Sequence, residues 1–177
     1  MSYFITGTKV GLRGLSLDDV DGNWFSWFNN PEITKYMYNG SYPNTREGLI
    51  KFYQSTCVDN SAHLVLAIID IASGAHVGNL GLHRIDHLYR RAELGIVLGE
   101  KDFWGKGIGS EACKLICGHG FARFNLHKIF LRTEFENVGA IRAFEKAGFS
   151  QEAVLKEEIY RDGAFRDSVY MSCFSPY

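Results

Sequence analysis

Three glycines alternate with other residues at Gly105, Gly107 and Gly109, inside the segment LGIVLGEKDFWGKGIGSEA, where an apolar run ends and a helical pattern begins at once. Without side chains in the way, the backbone N–H groups of such a turn stand open. Together with the positive end of the helix dipole they can cradle a phosphate. The plain alternative is a flexible connection between strand and helix. Two familiar phosphate motifs are excluded by position. A dinucleotide fingerprint needs glycine where Ser110 stands and an acidic residue about twenty positions on. A P-loop needs Gly-Lys-Ser/Thr at the helix entry, and here Gly105-Lys106 is followed by glycine.

The elements that must hold this turn follow from hydrophobic periodicity. Residues 92–98 read as a strand before it, residues 107–124 as a helix with Ile108, Ala112, Leu115 and Ile116 on one stripe, and 128–133 as a returning strand. That is a βαβ unit. Next, Asn137 can cap a helix whose apolar face is Ala140, Ile141, Phe144 and Ala147, with Gly148 as its left-handed stop. Upstream, 10–15 reads as a strand, 16–28 as one helix ended by Asn29-Asn30-Pro31, and the stretch after Thr45 as a second helix presenting Leu49, Ile50, Tyr53 and Cys57. Residues 64–71 and 76–82 form a hairpin about Ser73-Gly74, followed by a polar loop, IDHLYRR. The strands 155–160 and 168–174 join across Asp162-Gly163.

With 177 residues, 46% hydrophobic and 22% charged, the chain is sized for one domain, residues 1–177. A net charge of −1 with scattered lysines and arginines is not the footprint of a nucleic-acid or anionic-membrane binder. No stretch approaches the roughly 20 apolar residues that span a bilayer. The start, MSYFITGTKVGLRG, lacks a basic stretch followed by an apolar run, so a cytoplasmic protein is expected. Cys57, Cys113, Cys117 and Cys173 are read as reduced core residues. His83 and His87, without a third ligand, are read as solvated loop histidines, and no metal is expected. Trp24 and Trp27, at helical spacing, are read as core.

These motifs resemble the acetyl-CoA turn of the GCN5-related N-acetyltransferase (GNAT) superfamily. That motif, Gln or Arg, two residues, Gly, one residue, then Gly or Ala, lies over Trp104-Gly105-Lys106-Gly107-Ile108-Gly109. Trp104 departs from the usual first residue and is similar to the form seen in the RimJ/RimL-like branch. The segment ENVGAIRAFEKAGF, Glu136 to Phe149, is similar to the family's second signature, and WFNNPEITKYM and RRAELGI extend the likeness.

The resemblance implies an α/β (α+β) fold: a mixed, mostly antiparallel central sheet flanked by helices, with a V-shaped splay between parallel strands at 94–98 and 128–133. It implies acetyl-CoA as cosubstrate, contacted by Leu98, Trp104, Gly105, Lys106, Gly107, Ile108, Gly109, Ser110, Asn137 and Phe144. Asn137 is a coenzyme contact, a helix cap or both. Glu93 is either the base of the reaction or an ion-pair partner of Arg90 or Arg91. The usual tyrosine acid is replaced by Phe144, so another hydroxyl serves or the thiolate leaves with help from backbone dipoles and water.

The implied activity is acetyl transfer to a primary amine of a small molecule, such as a nucleotide-linked amino sugar, or of a protein N-terminus of the ribosomal type. A polyamine ranks lower, because Asp86, Glu93, Glu134 and Glu136 make only a thin acidic set. A coenzyme A-binding sensor or scaffold without turnover is the alternative. The expected partner is the amine substrate, with a homodimer left open. Its pocket is expected among the N-terminal helices and the loops near 36–42, 86–89 and 160–165.

Overall fold

The computed structural model describes residues 2–58 and 62–176. In chain order these form strands β1 (Ile5–Thr6) and β2 (Val10–Gly14), helices α1 (Leu17–Val20), α2 (Asn23–Trp27) and α3 (Arg46–Phe52), and strands β3 (Leu64–Asp70), β4 (His76–Asp86) and β5 (Arg91–Leu98). Helix α4 (Ile108–Phe124), strand β6 (Lys128–Glu134), helix α5 (Val138–Lys146) and the long hairpin β7 (Ser150–Arg161) and β8 (Ala164–Phe174) follow. Short 3-10 turns at Tyr38–Ser41 and Lys101–Phe103 and a π turn at Tyr53–Val58 lie between these elements.

All eight strands belong to one sheet in the order β1-β2-β3-β4-β5-β6-β8-β7. The pairing is antiparallel throughout except for β5 and β6, which run parallel as a βαβ crossover requires. Their pairing is confined to Arg91↔Lys128, Ala92↔Ile129 and Glu93↔Phe130. Beyond Glu93 the two strands diverge, which is the splay that the resemblance implies.

The sheet is covered on both faces at its centre, and β3 records this in its sequence. LVLAIID is a continuous apolar run because alternate residues serve two cores. Leu66 and Ile68 join the core under α4 and α5, while Val65, Ala67 and Ile69 join Trp24, Trp27 and Leu49 under the N-terminal helices. Trp24 and Trp27 are each 2% exposed and belong to that second core. Helix α4 buries Ile108, Ala112, Ile116 and the two cysteines Cys113 and Cys117 along one stripe.

Four local expectations need correction. The helix expected over 16–28 is two short helices, because Asp21 leaves helical geometry and Gly22 is extended. Strand β4 continues through Asp86, so His83 lies in the sheet and not in a solvated loop. The C-terminal strands are longer than their apolar runs, since they meet directly at Asp162-Gly163, where φ is +49° and +78° as a tight hairpin turn needs. Asn137 sits at the start of α5, but its side chain does not cap; it donates to Thr133 Oγ1 at 3.1 Å.

Candidate active site

The glycine turn joins β5 to α4, and its backbone explains its composition. Gly105 and Gly107 have φ of +72° and +86°, a region that residues with a Cβ rarely adopt, and a Cβ at Gly105 would meet nothing within 4 Å. Gly107 is the N-cap of α4, so the N–H groups of Ile108, Gly109 and Ser110 open the helix with no intrahelical acceptor. Gly109 lets the helix approach β5, since a Cβ there would come within 3.1 Å of Leu98 Cδ1. Trp104 Nε1 donates to the Leu98 carbonyl at 3.0 Å and ties the turn to the strand end. Ser110 Oγ donates back to the Gly107 carbonyl at 3.1 Å. A phosphate therefore fits here: open donors, a helix of 17 residues behind them and no Cβ in the approach.

A cation that sequence reasoning missed also reaches this turn. Lys9 Nζ donates to the Lys106 carbonyl at 3.1 Å and lies 3.8 Å from where a Gly107 Cβ would stand. The Glu111 carboxylate anchors the hairpin that carries it, accepting from Thr8 Oγ1 at 2.9 Å and from the Lys9 amide at 3.1 Å. No spacing rule connects Lys9 with Gly107; only the pairing of β1 and β2 beside α4 brings them together. Lys106 itself is exposed, with its ammonium 5.5 Å from the centre of the Phe103 ring.

On the opposite face of the sheet, a cavity of about 410 Å³ lies between the N-terminal helices and strands β3, β4 and β5. Trp24, Phe28, Phe52 and Val97 supply much of its apolar wall. His83, with Gly81 and Gly95, lines the side toward the parallel strands. Among the described residues lining it there is no Asp, Glu, Lys or Arg.

His83 and Glu93 stand opposite each other in the β4–β5 register. Burial, and then the charges of His63 and Arg84, push the His83 imidazole down to about 4, so it is neutral at ordinary pH. Its Nδ1 lies 3.3 Å from His63 Nδ1. Glu93 is ion-paired, but with Arg84 and not with the arginines beside it. Arg90 instead binds Asn125 through its carbonyl and side chain at 2.7 and 2.8 Å, and Arg91 faces Asp86 at 3.8 Å. Residues 36–42 only partly reach the cavity, since Tyr38 is 75% exposed and packs on Tyr42. Phe144 is buried in the core of α4 and α5, its ring centre 6.0 Å from that of Phe149.

The four carboxylates of the thin acidic set are all engaged by arginine: Asp86 with Arg91, Glu93 with Arg84, Glu134 with Arg161, and Glu136 with Arg166 at 2.9 Å. His87 packs against Phe124. Among the described residues no three His, Cys, Asp or Glu side chains gather as a metal site, and no helix is long and apolar enough to cross a membrane.

Known proteins resemble this chain in sequence and in fold. The family model described as an acetyltransferase (GNAT) domain matches residues 9–150. The chain is 32% identical over 146 residues to a spermidine N(1)-acetyltransferase of Escherichia coli (strain K12), covering 82% of this chain and 76% of that one. It is 26% identical over 148 residues to a putative ribosomal N-acetyltransferase, YdaF, of Bacillus subtilis (strain 168), covering 81% and 79%. The crystal structure of spermidine N-acetyltransferase from Vibrio cholerae in complex with CoA and spermine has a TM-score of 0.85 to this fold. It is 26% identical in sequence, with 96% of this chain and 97% of that one covered.

Proposed function

The chain belongs to the GNAT acetyltransferase family, and on that premise we propose that it acetylates the primary amine of a small molecule whose body is uncharged, bound in the cavity beside His83. It is an acetyl-CoA-dependent N-acetyltransferase. On this reading the open N–H groups after Gly107, with Lys9 and Lys106 nearby, receive the pyrophosphate. The diverging ends of β5 and β6 take the pantetheine arm, which brings the thioester to the rim of the cavity. Asn137, at the start of α5, and Ser110, in the first turn of α4, flank the same path.

The observation that carries the acceptor class is the lining of the cavity: among the described residues it holds aromatic and aliphatic side chains with asparagine and threonine, no charged group, and one titratable side chain, the neutral His83. A polyamine keeps further ammonium groups after its reacting nitrogen is deprotonated. Each would seek a carboxylate, and burying one unpaired costs several kcal/mol. A nucleotide-linked sugar would equally seek cations for its pyrophosphate. A neutral amine with an apolar body meets neither penalty.

A polyamine acceptor is the second reading, favoured by the names of the relatives. Against it stand the four carboxylates already held by arginines. The test is an amine panel incubated with acetyl-CoA and read by mass spectrometry. Phenylethylamine and hexylamine are expected to exceed spermidine and spermine by about 10-fold or more in kcat/KM. Preference for spermidine by that factor would install the polyamine reading. Coenzyme binding without acetylation of any amine would instead leave a sensor or scaffold.

A further inference from the structure

We infer that His83 is the group that takes the proton from the acceptor nitrogen, with His63 as the residue that receives the proton from it. This rests on the acetyltransferase reading and on the cavity as the acceptor site, and deepens both.

Three independent features support His83 in this role. First, it lines the cavity, whereas Glu93, its cross-strand partner, is not among the lining residues and is held by Arg84. Second, two glycines make room for its ring. A Cβ at Gly81 would stand 3.0 Å from His83 Nε2, and one at Gly95 would stand 3.3 Å from both Nε2 and Cδ2. The imidazole edge carrying Nε2 therefore leans over the β4–β5 pair, where any side chain on those two positions would displace it. Third, strand β4 bulges directly after it: the register slips between His83 and Asp86, and Arg84 takes φ of +50°. A bulge of this kind re-aims the side chains beside it and recurs next to functional sites.

The two histidines divide the ring nitrogens between them. With Nδ1 facing Nδ1 at 3.3 Å, one must donate and the other accept. If His83 donates, its Nε2 keeps a bare lone pair toward the cavity, and among the described residues no hydrogen bond occupies it. The charged and titratable groups around His83 are His63 at the entry to β3, Arg84 next in the chain and Glu93 opposite. Burial and the first two of these neighbours keep the ring neutral, so it accepts a hydrogen bond from an amine and does not repel an ammonium form.

The neutral amine attacks the acetyl carbon, and its N–H becomes strongly acidic as the N–C bond forms. His83 Nε2 takes that proton while Nδ1–H passes its own to His63 Nδ1. The C–S bond breaks with its electron pair on sulfur, and the thiolate takes one proton from solvent, giving amide and free thiol. The relay resets when His63 returns its proton to His83 Nδ1 and His83 Nε2 gives up its own to solvent, so that one proton is released for the one taken up. A weakly basic imidazole suffices, because the proton leaves a nitrogen that is already bonded to the acyl carbon.

The test uses the whole protein with acetyl-CoA and the best amine of the panel. His83→Ala is expected to lower kcat about 10²-fold while leaving the acetyl-CoA Kd unchanged by calorimetry, and added imidazole should restore the rate in proportion to its concentration. A rate within about 3-fold of the parent overturns the inference, and so does a loss that imidazole does not relieve. Should His83→Ala fail to fold, His83→Gln and Glu93→Gln are compared. A loss for His83→Gln at least 10-fold larger supports the role, and an equal or smaller one overturns it. Nitrogen-15 NMR separates this from the acceptor assignment. A proton on His83 Nδ1 and none on Nε2 is expected whether or not any panel amine reacts, and the opposite tautomer overturns the relay.

Discussion

The glycine turn and the cavity lie on either side of the same strand, β5, yet they are built on different principles. The turn works through the backbone: Gly105 and Gly107 hold positive φ, and α4 begins with open N–H groups that owe nothing to side-chain identity. The cavity works through side chains from several separated stretches, with Trp24, Phe52, Val65, Asn79, His83 and Val97 converging on one volume. A backbone device demands particular residue types at fixed spacing. A side-chain device demands only that distant positions meet. The first kind is local in sequence and the second is not.

The sharpest way to break this contrast is at Gly107. Valine there would force a β-branched residue into φ of +86° and place methyl groups where a phosphate must approach. Acetyl-CoA binding is expected to weaken by about 100-fold or more, because no open donor at α4 can then be reached. The fold should survive, since the nearest atom to an added Cβ is Lys9 Nζ at 3.8 Å. Calorimetry and thermal melting on one sample check both halves. Tight coenzyme binding by a folded Gly107→Val protein would show that the phosphates lie elsewhere.

Legibility follows the same division. The turn, the βαβ unit around it, the Gly148 stop and the Asp162-Gly163 hairpin are all readable in the sequence, because each is a local rule about φ or periodicity. Lys9 on the Lys106 carbonyl, Arg84 on Glu93, and His63 against His83 are not. All three depend on strand register, which a single sequence does not fix across 97, 9 and 20 positions. His83 reads as loop for a related reason. The apolar pattern fades after Leu82, and a strand whose last residues pair through a bulge loses its alternation. The spacing of His83, Glu93 and the two strand glycines, Gly81 and Gly95, is the signal that could have found it.

A smaller effect is expected behind the cavity, where Asp19 links α1 to the sheet. Arg13 donates two hydrogen bonds to its carboxylate at 2.7 and 2.8 Å, the Ser16 amide adds one at 2.7 Å, and His76 stands 3.4 Å away. Burial opposes the charge, yet these donors win and hold the Asp19 carboxyl far below the usual carboxylate range. A group depressed in the folded state stabilises above its unfolded value of about 3.9 and loses that contribution as pH falls. Asp19→Asn should therefore cost about 2 kcal/mol near pH 7 and progressively less below about pH 4. Urea melts at about pH 7 and pH 3 test the sign: a gap between variant and parent that widened in acid would contradict it.

The smallest effect separates backbone from side chain within the turn itself. Trp104 departs from the family's usual first residue, but the structure gives it a definite role, since its Nε1 holds the Leu98 carbonyl at 3.0 Å while the residue remains 46% exposed. Trp104→Phe keeps an aromatic ring and deletes that one bond. A neutral, partly solvated hydrogen bond contributes about 1 kcal/mol, which equals about a 5-fold change in an equilibrium constant. If the bond serves to hold the turn in its open form, that amount should appear in the acetyl-CoA Kd and hardly in Tm, because the carbonyl left behind faces water and finds a new donor. If the indole instead packs on the coenzyme through its ring, phenylalanine would preserve most of the contact and Trp104→Ala would be much the more damaging change. Calorimetric Kd values for the two variants decide between these outcomes. Equal losses of about 5-fold assign Trp104 to the backbone side of the comparison, and a loss confined to alanine assigns it to the side-chain side.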